Sequence, residues 1–201
     1  MQIPRRFPDW EFPFAVALIC VVAAAWGDIA RELLRYDRPA IADGEVWRLL
    51  SGHFVHLGYQ HLALNLAGLA LVWLLVGRRF GTRQWSLVAT ICIAVMSTAF
   101  WFLDADMHWY VGLSGLLHGL LVAGAMRGIP SLPWESVTIC ILVAAKLAYE
   151  QLVGPLPGSE LAAGGAVVVN SHLYGAAGGA LSAIVLYIMP THSTPPGKDN
   201  P

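Results

Sequence analysis

The chain has 201 residues, of which 57% are hydrophobic and only 12% charged, and its mean hydropathy is +0.60. That composition lies far from the soluble range and describes a polytopic membrane protein. A formal net charge of −1 supplies no basic field that would attract nucleic acid, so nucleic-acid partners are excluded.

Apolar runs long enough to cross, or nearly cross, a hydrocarbon core of about 30 Å stand at residues 12–30, 59–77, 84–103, 112–127, 134–153 and 169–189. They predict an all-α bundle of six transmembrane helices forming one membrane domain over 1–190. Pro13 suits a first helical turn, Pro130 and Pro133 mark the connection between spans four and five, and Pro190 stops the last helix. Arg5, Arg6 and the run Ala23-Ala24-Ala25 also fit a cleavable secretory signal; a retained helix is preferred, because its removal would leave five spans.

Orientation follows from the basic residues outside the spans. Arg5, Arg6, Arg78, Arg79, Arg83, Arg127 and Lys198 fall on one side, read as cytoplasmic, which puts both termini there. Arg31, Arg35, Arg38 and Arg48 share one external loop, 31–58, where Glu32, Asp37, Asp43 and Glu45 offset them. Within that loop RELLRY and EVWRLL predict short helices at the membrane surface, with Trp47 and Arg48 as interfacial anchors. His53 and His56 follow. A zinc site would need three or four converging ligands, and neither HExxH nor an external cysteine is present, so no metal is expected. His56 is read as positioning the loop or lying near substrate. Cys20, Cys92 and Cys140 all lie in apolar runs and are read as packing residues.

The remaining spans bring polar residues to a common depth, where such residues are costly. His61 and Asn65, four apart, share a face near the outer end of span two. After a short external loop holding Asp104, Asp106, His108 and Trp109, span four opens with GLSGLLHG, in which Gly112 and Gly115 flank Ser114 and His118 follows one turn later. Lys146 and Glu150, also four apart, are expected to form an ion pair near the outer end of span five. The Gly-rich stretch 154–165 is a candidate mobile cap. Span six begins with Asn170 and His172. Gly115, Gly119 and Ala123 in span four match Gly175, Gly179 and Ala183 in span six, and such small-residue stripes let two helices approach closely. Docking the stripes brings Ser114 near His172. Residues 191–201 are polar and Pro-rich, and are read as a disordered cytoplasmic tail.

A serine becomes a nucleophile when a neighbouring base takes its proton. Both His172 and His118 are within reach; His172 is preferred because it approaches from another helix and leaves room for substrate, while His118 packs beside its ring. The oxyanion formed by attack on a carbonyl needs fixed donors. His61, Asn65 and the backbone N–H groups around Gly112, at the positive end of a helix, can supply them. No carboxylate stands obviously in the layer, which points to a Ser/His dyad.

Together, G-x-S-G at Gly112–Gly115, H-x-x-x-N at His61–Asn65, the Trp47-Arg48 pair, and His172 followed by Gly175 and Gly179 resemble the rhomboid intramembrane serine proteases over roughly 12–189. The resemblance implies a six-helix rhomboid-like bundle with a membrane-surface first external loop. It also implies Ser114 as nucleophile, His172 as base, and His61 with Asn65 as oxyanion donors, without metal or cofactor. Ser171 departs from the alanine usual before the base, and His118 stands where many members carry an aromatic residue. GLSGLLHG on a small six-span chain is most similar to the rhombosortase branch. That likeness implies a multi-pass protein of the bacterial cytoplasmic membrane, opening to the periplasmic side, that removes C-terminal GlyGly-type sorting anchors from exported transmembrane proteins. Two other classes compete: an inactive rhomboid-like protein that binds membrane clients, and a His-rich membrane metal or haem protein.

Overall fold

The computed structural model describes residues 8–188; the expectations for the tail at 191–201, for Pro190, for Arg5 and Arg6 and for both termini fall outside the described residues. The first apolar run does not form one helix. Helix α1, Glu11–Ala25, ends where Gly27 takes φ +61°, and α2, Gly27–Leu34, leaves at 113° to it. The predicted span of 12–30 is therefore corrected to a helix that stops at Ala25. The chain turns there because the sequence changes from uniformly apolar to the amphipathic GDIARELL, which lies with one side outward.

The first loop is folded rather than slack. Strand β1, Tyr36–Asp37, leads into α3, Arg38–Ala42, whose N-cap Asp37 accepts a hydrogen bond from the Ala40 N–H; α4, Arg48–Ser51, follows. Arg48 is 6% exposed, donates to the carbonyl oxygens of Glu32 and Arg35 and pairs with Glu45 at 2.6 Å. Its expected role as an interfacial anchor is thereby corrected, because its guanidinium is drawn into the loop, where Nε and Nη1 donate to Glu45, Glu32 and Arg35 and bracket α2 and α4 instead. Trp47 remains exposed, its indole N–H donating to the Leu33 carbonyl.

Helix α5, Tyr59–Val76, runs through a 3₁₀ turn at Gly77–Arg79 into α6, Thr82–Phe102. The open carbonyls at the end of α6 are closed by Arg38, which donates to Phe100 at 2.6 Å, to Trp101 at 3.2 Å and to Asp104 at 2.9 Å, an arrangement that also sets a cation against the negative helix end. Strand β2, Trp109–Tyr110, pairs antiparallel with β1 in the register Tyr36 to Tyr110 and Asp37 to Trp109, and the Gly112 N–H donates to the Gly52 carbonyl. These ties fix the segment that enters α7, Ser114–Gly128.

Helix α7 is the centre of the bundle, surrounded by α5, α6, α8 (Pro133–Leu152) and α10 (Val169–Ile188). Leu116, Leu120 and Ala123 are fully buried, as expected of a helix that is apolar or small all round. The short α9, Ser159–Ala163, sits in the loop between α8 and α10, flanked by Gly158 and Gly164 at φ +79° and +76°. The expected glycine docking is present: a Cβ on Gly119 would lie 2.6 Å from the Gly175 carbonyl oxygen, and one on Gly115 would lie 2.7 Å from that of Ser171. Backbone therefore touches backbone along α7 and α10.

Among the described residues three helical stretches are long and apolar enough to cross a membrane, 59–79, 82–102 and 169–188, and a fourth if α1 and α2 count as one broken span. Helix α7 has only 15 residues, and α8 carries Glu135, Lys146 and Glu150. The three cysteines are free, with Cys20 and Cys92 buried.

Candidate active site

Ser114 is the first residue of α7, where N–H groups lack intrahelical partners and the helix end is positive. The turn that presents it needs Gly112, whose φ of +131° is open to glycine and strained for other residues. The Tyr110 hydroxyl, its pKa pushed up to about 12 by burial, donates to the Gly112 carbonyl at 2.6 Å and holds the turn.

Because α10 lies directly on α7, His172 meets Ser114: its Nε2 is 3.0 Å from the Ser114 Oγ. The other ring nitrogen, Nδ1, is 2.9 Å from Glu150 Oε2 and 3.3 Å from the Lys146 ammonium. Lys146 also pairs with Glu150 Oε1 at 2.7 Å, as the spacing in the sequence predicted. A carboxylate thus does stand in this layer, correcting the expectation that none does. Glu150 reads in sequence as one half of a surface ion pair; α8 is rotated so that its side chain, 2% exposed, points inward at α10.

His118 stacks on His172 with ring centroids 4.3 Å apart and planes at 26°. Its Nδ1 lies 2.8 Å from the Ser114 carbonyl oxygen, to which it donates, so it buttresses the ring and turns that nitrogen away from the hydroxyl.

His61 lines a cavity of about 270 Å³ together with Ser114, Tyr110, Trp109, Val168 and Ser171. The Leu57 N–H donates to His61 Nδ1 at 3.4 Å, which leaves Nε2 as the protonated nitrogen facing Gly112. Asn65 does not line the cavity. Its amide donates back to the His61 carbonyl at 3.1 Å, so the pair that shares a helix face divides into one donor at the site and one brace behind it. Asn170, in the same layer by sequence, donates to Asp104 at 2.8 Å, and Tyr174 does so at 3.1 Å, anchoring the start of α10 to the loop after α6.

His53 and His56 take separate places. His53 is fully buried and donates from Nε2 to Ser97 Oγ, whose own proton goes to the Leu49 carbonyl; burial pushes its pKa down to about 4. His56 meets His61 edge-on at 5.0 Å, and burial together with that neighbour pushes its pKa down to about 3. Among the described residues no three His, Cys, Asp or Glu side chains gather as metal ligands. A larger apolar groove of about 850 Å³, between α1, the first loop and α6, contains neither Ser114 nor any of these histidines. Of these two cavities only the smaller is lined by Ser114 and a histidine, His61.

Tyr110 and Glu150 are the two contributors that sequence reasoning missed. Glu150 had a signal, its depth matching that of His172; Tyr110 had none beyond its nearness to Ser114.

The Rhomboid domain model matches residues 43–189 of the chain. RHOMBOID-like protein 4 of Arabidopsis thaliana is 30% identical over 164 residues, which cover 76% of this chain and 37% of that protein. The chain accordingly spans well under half the length of that relative.

Proposed function

The chain belongs to the rhomboid family, and from that premise we propose that it is an intramembrane serine endopeptidase, with Ser114 as nucleophile and His172 as general base. The observation that carries this reading is the 3.0 Å approach of His172 Nε2 to Ser114 Oγ from a different helix. In the proposed reaction His172 takes the hydroxyl proton as Oγ attacks the scissile carbonyl, then returns it to the leaving amine; water resolves the acyl-enzyme by the reverse sequence. The oxyanion is held by the His61 Nε2–H and by backbone N–H groups of the first turn of α7, with Asn65 steadying His61 from behind.

We further propose that α1, α5, α6, α7, α8 and α10 make six spans. At about 1.5 Å per residue the 15 residues of α7 reach only about 22 Å, less than a core of about 30 Å, so one end of α7 must stop inside the bilayer. If that end carries Ser114, the nucleophile lies below the surface under the first loop and α9, opening toward the periplasmic side of a bacterial cytoplasmic membrane. The substrates proposed are exported proteins with a Gly-rich C-terminal anchor, the class associated with rhombosortases; a glycine-containing helix unwinds readily to offer its backbone.

The test is coexpression with an exported protein bearing such an anchor. Anchor removal by wild type and its retention with Ser114→Ala supports the reading. Retention in both, with no reaction at Ser114 toward a fluorophosphonate, would make the chain an inactive client-binding member of the family.

A further inference from the structure

Glu150 is a carboxylate withdrawn from water in the interior of a helical bundle, an arrangement that persists only when the charge is compensated and its oxygens are hydrogen-bonded. Both oxygens are engaged. Oε1 takes a hydrogen bond from Lys146 at 2.7 Å, and Oε2 lies 2.9 Å from His172 Nδ1. Resting on the serine protease reading above, we propose that Glu150, neutralised by Lys146, is a positioning residue that completes a Ser114–His172–Glu150 triad.

The argument turns on which nitrogen of His172 carries the proton. An ionised carboxylate only accepts hydrogen bonds, so Nδ1 must donate to it and Nε2 must keep its lone pair. That lone pair is what faces the Ser114 hydroxyl at 3.0 Å. In the opposite tautomer Nδ1 would accept from Lys146, at 3.3 Å, and Nε2 would present a proton to the serine, which disables the base. Glu150 is the closer of the two neighbours of Nδ1, and it also occupies the ammonium through Oε1, so the pair selects the active tautomer. When Ser114 gives its proton to Nε2, the imidazolium stands against a carboxylate that is already in place. The stacked His118 meets the His172 ring face-on rather than at the edge where Nδ1–H points, and its own Nδ1–H is spent on the Ser114 carbonyl, so it does not take the place of Glu150. Lys146 keeps the resting cluster of ammonium, carboxylate and neutral imidazole at zero net charge.

The experiment uses the detergent-purified full chain, following the rate of fluorophosphonate acylation and the steady-state cleavage of an anchor-bearing substrate. Glu150→Gln is expected to lower the acylation rate and kcat by about 10²- to 10⁴-fold, with KM within about twofold of wild type. Glu150→Asp is expected to recover part of the loss. Lys146→Met/Glu150→Leu replaces the pair by apolar groups of similar size, so it is expected to keep the wild-type melting midpoint and to react as slowly as Glu150→Gln. Acylation within about threefold of wild type in both Glu150→Gln and the double variant, or a loss confined to KM, overturns the inference while leaving the protease reading intact. A wild type that does not react overturns the protease reading and this inference with it.

Discussion

Gly175→Ala tests how the helix contact sets the chemistry. A Cβ at this position would overlap the Gly115 carbonyl oxygen and fall 2.6 Å from the carbonyl carbon. Restoring an ordinary carbon contact of about 3.5–4.0 Å requires α10 to move from α7 by about 1 Å. No flexible side chain can yield, because the obstructing atoms are backbone. Ser114 precedes Gly115, and His172 stands one turn before Gly175, so the same displacement would stretch the 3.0 Å Ser114–His172 approach to about 4 Å, beyond hydrogen-bond range. A misplacement of about 1 Å in a reacting group costs about 10²-fold in rate, close to 2.7 kcal/mol. The overpacking should also destabilise the bundle by about 1–3 kcal/mol. The assay is the fluorophosphonate acylation rate below the melting midpoint of the variant, measured beside that midpoint. A Gly175→Ala protein that reacts at the wild-type rate would refute the claim that direct backbone contact between α7 and α10 fixes the nucleophile against its base.

The buttress and the loop histidines give further expectations. His118→Ala removes the ring stacked 4.3 Å from His172 and should slow acylation by about 10- to 100-fold, far less than His172→Ala; the reverse ranking would make His118 the base. His53 and His56 are held neutral in the fold, with pKa values of about 4 and about 3 against an ordinary 6.5. Below pH 6.5 the unfolded chain therefore takes up protons that the folded chain refuses, so their contribution is complete above about pH 6.5 and is lost as pH falls toward 4, at about 1.4 kcal/mol per pH unit for each histidine. The melting midpoint should drop between pH 7.5 and 5, and His53→Phe should reduce that drop; a midpoint flat across this range in wild type would contradict the assignment.

The matched stripes Gly115/Gly119 and Gly175/Gly179 could be read before the fold was known, because a four-residue spacing of small side chains on an apolar helix has one common use, close packing. The bounds of α5, α6 and α8, and the start of α10, were equally legible, since these apolar runs are bounded by charges, glycines or prolines. Other features depend on rotations that hydropathy does not encode. Lys146 and Glu150 share a face in any helix, but whether that face looks at lipid or at His172 is decided by how α8 packs on α7 and α10. Asn65 can donate across the site or back along its own helix, and residue type does not choose between them. Arg48 looked like a surface anchor because it follows an exposed tryptophan; carbonyls of Glu32 and Arg35, more than a dozen residues earlier, draw it inward. The break after Ala25 was hidden because Gly27 and the single charge of Asp28 are all that interrupt the run before Ala30, and neither by itself ends a helix.

The central claim is that Ser114 is a nucleophile activated by a histidine on a neighbouring helix. Fluorophosphonate labelling of the purified protein, with the modified peptide identified by mass spectrometry, tests it most directly. The expected result is a single adduct on Ser114 in wild type, none in Ser114→Ala, and labelling slowed by about 10³-fold or more in His172→Ala. Equal labelling of Ser114→Ala, or a wild type that does not react, would contradict it.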